Sequence, residues 1–127
     1  MHMTVVEAWI EGPLKRFVVD AGAELALLLH PSGQVLAQHG FARAVDVMSA
    51  CALAASLYRK ARLSAGAAGL GAVSFMQLEA PGGRICAVGG GDLVLVVVAE
   101  PAVNVGLVRV ELLRAVGELL AVGGEVA

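Results

Sequence analysis

From Leu93 to Ala99 every residue is apolar, Val96, Val97 and Val98 in succession, and the run is bounded by Asp92 and by Glu100-Pro101. A short, β-branched, uninterrupted apolar run is the pattern of a strand covered on both faces. After Pro101 the period changes. Asn104, Glu111, Arg114 and Glu118 fall on one helical stripe, while Val105, Val108, Leu112, Val116, Leu119 and Leu120 turn the other way. A central strand therefore runs into an amphipathic helix that lies back on the sheet.

The same reading divides the rest of the chain. Pro13 opens a helix in which Leu14, Phe17 and Val18 share a face, and Gly22 closes it. Ahead of it, Val5, Val6, Ala8, Trp9 and Ile10 either pack on the same core or cross to a neighbouring molecule. Residues 23–29 are a second buried strand, His30-Pro31-Ser32-Gly33 a turn, and 35–39 an alternating, more exposed strand. A long helix is predicted over 44–62. On it Asp46, Ser49, Leu53, Ser56 and Lys60 occupy one narrow arc, Val47, Cys51, Ala54, Leu57 and Tyr58 cover a sheet, and Val45, Met48, Ala52 and Ala55 form a second apolar flank. Loop residues 66–71 lead to a strand over 72–79, a turn at Pro81-Gly82-Gly83, a returning strand over 84–88, and a glycine turn into the valine strand.

Helix, two strands, helix, three strands, helix is an α/β order. The first and fifth strands are the most continuously apolar and belong together at the centre. The hairpins then place the others in the order 2-1-5-4-3, a mostly antiparallel five-stranded sheet in a three-layer α/β/α sandwich, with strands 2 and 3 at the edges. The domain is expected over 13–122, between an N-terminal extension, 1–12, and a C-terminal tail, 123–127.

Composition changes this picture in one respect. Of 127 residues 58% are hydrophobic, with 16 glycines besides, and 16% are charged; apolar residues and glycine together make up roughly 45–50% of an average domain. The surplus must face something, self-association first and a membrane surface second. No uninterrupted span of about 20 apolar residues is present, so direct membrane insertion is not expected. The N-terminus carries Glu7 and Glu11 rather than a positive start, which argues against a secretory signal and for a cytoplasmic protein. A net charge of -2 without a basic stripe argues against nucleic acid.

No constellation for chemistry emerges. Cys51 and Cys86 lie within apolar runs and read as small core residues. His30 and His39 sit at the ends of one hairpin, with no nucleophile in view. The glycine runs 66–71 and 89–91 lead into strands, whereas a phosphate cradle must open a helix. Catalytic residue, metal and cofactor are all expected to be absent.

The pattern from Leu14 to Leu120 resembles the Roadblock family, which includes Roadblock-type dynein light chains, adaptor subunits on lysosomal membranes and the bacterial MglB-like regulators of Ras-like GTPases. The resemblance is carried by Ala26-Leu27-Leu28-Leu29-His30-Pro31-Ser32-Gly33-Gln34-Val35-Leu36-Ala37, by the alanine-rich helix from Ala50, by Gly91-Asp92-Leu93-Val94-Leu95-Val96 and by Asn104-Val105-Gly106-Leu107-Val108-Arg109. His30 stands where an acidic residue is common in the family. The resemblance implies a homodimer made by pairing central helices and third strands, and a non-enzymatic regulator or scaffold for a Ras-like small GTPase. Val45, Met48, Ala52, Ala55, Ala72, Ser74 and Met76 are the residues then expected at the dimer interface. Asp46, Ser49, Ser56, Arg59 and Lys60 are those expected to meet the partner. Two other readings stand beside it: a small-molecule sensor enclosing a ligand between helix and sheet, and a purely structural adaptor subunit.

Overall fold

The computed structural model describes residues 16, 18–20, 22–40, 46–90 and 93–126. Five strands and two long helices follow in the order β1 (Leu25–Leu29), β2 (Val35–Gly40), α1 (Val47–Ala67), β3 (Met76–Ala80), β4 (Gly83–Gly90), β5 (Leu93–Ala99) and α2 (Val105–Val126). Val18, Val19 and Asp20 are also helical. Every strand pairing is antiparallel and the sheet order is β2-β1-β5-β4-β3, the order expected from apolar continuity. Centrality explains the unbroken apolar runs, because β1 and β5 pair with each other, Leu27 opposite Val96, and have no solvent side.

Alternate residues of these strands feed two cores. On one face Ala26, Leu28, Cys86, Val88, Leu95 and Val97 meet Val108, Leu112, Ala115 and Val116 of α2, with Val18 packed against them. On the other, Leu25, Leu27, Leu29, Val94, Val96 and Val98 meet Ala54, Ala55 and Tyr58 of α1. A fully buried Leu or Val contributes about 1.5–3 kcal/mol, so β1 and β5 hold both layers together.

Both long helices begin at a side-chain cap. The Ser49 N–H donates to Asp46 Oδ1 at 3.0 Å and the Leu107 N–H to Asn104 Oδ1 at 3.1 Å, satisfying donors that have no partner within the helix. Three departures from the expected boundaries bear on the surface. α1 passes through Gly66 and stops at Gly69, whose φ of +76 lets the Leu70 N–H reach the Ala65 carbonyl at 2.9 Å; a glycine inside a helix costs about 1 kcal/mol and does not end it, whereas a left-handed one does. β3 starts at Met76 rather than 72, so Ala72 and Ser74 precede it. Val73 packs on the α1 side and Phe75 on the α2 side, and residues two apart in one strand share a face. The tail expected over 123–127 is largely the end of α2, which runs to Val126.

Candidate interaction surface

The helical period divides the solvent side of α1 into two stripes, and each borders a different hairpin. Asp46, Ser49 and Leu53 line an open groove of about 320 Å³ against Leu78, Ala80 and Ile85 of the β3–β4 hairpin. Ser56 and Lys60 continue that stripe at helical spacing. Met48, Ala52, Ala55 and Arg59 line a second groove, about 290 Å³, against Ser32, Gly33 and Val35 of the β1–β2 hairpin. Since β2 and β3 are opposite edges of the sheet, the structure separates two groups that the sequence reading had joined. Met48 and Ala52 do not adjoin β3; the residues that do are Asp46, Ser49 and Leu53.

Ala55 is corrected further. It is 2% exposed and packed in the core beneath α1, so it cannot present itself to a second molecule. Met48 is 84% exposed. Ala52, Arg59 and Lys60 are exposed, Ser56 is half-buried, and Ala72 and Ser74 are exposed ahead of β3. Met76 is half-buried and packs against the core. Val45 lies outside the described residues, as do 1–12 with Trp9, and the Cys51 side chain. Leu53, 44% exposed beside the β3 groove, is a further candidate for an interface. It interrupts a polar arc, and that interruption was the signal available.

The edge strand carries its own directional chemistry. β3 and β4 are joined by the two-residue turn Pro81-Gly82, with Ala80 opposite Gly83. The closing pair of such a hairpin exchanges its hydrogen bonds and the pairs alternate from there. Met76, Leu78 and Ala80 therefore bond inward to β4, while the backbone groups of Gln77 and Glu79 point outward. Above that edge Glu79 Oε1 accepts from Gln77 Nε2 at 3.0 Å and lies 3.1 Å from Arg84 Nη2. This lightly charged, open edge fits a second strand.

His30, Cys86 and Arg114 each have a structural placement. His30 Nδ1 accepts from the Ser32 N–H at 3.1 Å and sits 2.9 Å from Ser32 Oγ, bracing the β1–β2 turn. Cys86 is 1% exposed. Burial pushes its thiol up from the ordinary 9.0, against the opposing pull of Arg84, which keeps it protonated and unreactive. Arg114 joins α2 to the short helical segment before β1, lying 3.0 Å from Glu118 and 3.8 Å from Asp20. Among the described residues no helix is long and apolar enough to cross a membrane.

Among the described residues an antiparallel 2-1-5-4-3 sheet lies between two helical layers, with α1 the one helix on its face and the outer edge of β3 unpaired, and this is a Roadblock/LC7-like fold. Myxococcus xanthus MglB superposes with a TM-score of 0.85 at 23% identity, over 100% of this chain and 96% of that one. An MglB in a tetrameric arrangement gives 0.84 at 21%, over 100% and 96%, and a Roadblock/LC7 domain from Streptomyces avermitilis 0.74 at 23%, over 86% and 92%. No protein-family model matches the sequence. No curated protein matches it either.

Proposed function

We propose that the chain is a homodimeric, non-enzymatic regulator or scaffold for a Ras-like small GTPase. The observation that carries this reading is the placement of an open strand edge beside one flank of a long helix, on the fold that MglB and Roadblock proteins share. Two β3 edges pair through the outward groups of Gln77 and Glu79, extending the sheet, while Ser49 and Leu53 of each α1 close over the junction. The interface is thereby moved from the Met48 flank to the Leu53 flank. Self-association of an MglB into tetramers supports an assembly of this kind. Met48 and Ala52, with Ser56 and Arg59 at the border, remain on the outer surface of α1 for the GTPase.

Calorimetry of the protein with a Ras-like small GTPase from the same genome, loaded with GDP or with a non-hydrolysable GTP analogue, tests the reading. The GTP-like state is expected to bind more tightly. Met48→Asp, which places a charge on the outer surface, is expected to cost about 1–3 kcal/mol of that binding. Equal affinity for the two nucleotide states, or no binding to either, contradicts a switch-reading regulator.

A further inference from the structure

The C-terminal half of α1 is set apart by charge. No acidic residue occurs between Asp46 and Glu79, and Arg59, Lys60 and Arg62 all fall in that interval. Among the described residues none of the three forms an ion pair, whereas Arg16, Arg84 and Arg114 each do. Nor do they neutralise the negative end of the helix, an effect confined to the last turn; the last turn of α1 contains no base. A chain of net charge -2 thus collects, in the C-terminal half of one helix, three cations that have no ion pair among the described residues.

The same end carries two bulky aliphatic side chains in solvent, Leu63 at 76% exposure and Leu70 at 81%. The bond from the Leu70 N–H to the Ala65 carbonyl, 2.9 Å, holds Leu70 at the helix tip. Nearby, Arg59, Arg62, Leu63 and Pro31 border an open concavity of about 410 Å³, room enough for a phosphate-bearing headgroup. Apolar side chains projecting from a helix end among unpaired cations match the boundary between anionic headgroups and acyl chains. A lipid surface supplies phosphates for the cations and acyl chains for the projecting leucines at once.

We propose that this end of α1 docks the protein peripherally on an anionic phospholipid surface, Arg59, Lys60 and Arg62 meeting lipid phosphates and Leu63 and Leu70 entering the headgroup layer. No spanning helix is required, and the docking does not depend on a GTPase. Arg59 borders both this surface and the one proposed for the GTPase, so the test uses Arg62 and Leu70. The full chain is centrifuged with vesicles of equimolar phosphatidylglycerol and phosphatidylcholine, and with vesicles of phosphatidylcholine alone. Sedimentation with the first and not the second is expected, with release at high salt. Arg62→Glu should lower the vesicle partition coefficient roughly tenfold, and Leu70→Ser should lower it several-fold, each with an unchanged circular dichroism spectrum. If the unmodified protein stays in the supernatant, or Arg62→Glu binds the mixed vesicles as well as the unmodified chain, the proposal fails. Binding to soluble polyglutamate but not to vesicles also overturns it, and assigns the cations to an acidic protein.

Discussion

Gly89 shows how closely α1 is fitted to the sheet. A Cβ at that position would overlap the Tyr58 ring, and Tyr58 is 3% exposed and packed in the core beneath α1. Gly89→Ala should therefore destabilise by about 1–3 kcal/mol, the range for overpacking a core. Gly117, in the interior of α2 with nothing near its hypothetical Cβ, should respond with the opposite sign: Gly117→Ala is expected to stabilise by roughly 0.5–1 kcal/mol. Urea denaturation of the two variants checks both signs. Cys86 supplies a pH prediction. Because the folded state holds its thiol proton beyond the ordinary 9.0, the unfolded chain releases that proton first, so this contribution to stability is intact below 9.0 and declines as pH rises through and above it. In a Cys51→Ala background the native protein should resist thiol alkylation until it unfolds, and rapid labelling of the folded chain would show the thiol to be exposed.

At the scale of elements, the caps and the free edge give separable effects. Asp46→Ala and Asn104→Ala each remove the acceptor of one capping bond and should cost about 0.5–2 kcal/mol; thermal melts report it. How much was legible differed by element. β5 was read to its exact ends because a strand buried on both faces has an unbroken apolar run with polar residues at its limits. β3 was started four residues too early, since the sequence shows that residues 72–75 are partly apolar but not that Val73 and Phe75 turn to opposite layers. For α1 the 3.6-residue period separated the two exposed stripes correctly. Which stripe faces β3 depends on how the helix lies across the sheet, a tertiary fact with no trace in local periodicity. Periodicity likewise sets Ala55, at the margin of its stripe, outside, whereas it belongs to the core.

For the whole molecule, composition and topology point the same way. A chain that is 58% hydrophobic leaves Met48, Leu53, Leu63 and Leu70 in solvent around one helix, beside a strand whose outer edge is unpaired in the single chain. The proposed closure of that edge by a second copy is measured directly by light scattering on the purified protein and two variants. The unmodified chain should have twice the 12.9 kDa mass of one protomer. Gln77→Pro, which removes an outward donor while keeping the inward bonds to β4, should be monomeric and folded. Met48→Asp, on the far flank, should remain a dimer. A monomer for the unmodified chain at micromolar concentration, or a dimer that survives Gln77→Pro and dissociates with Met48→Asp, would contradict the arrangement described.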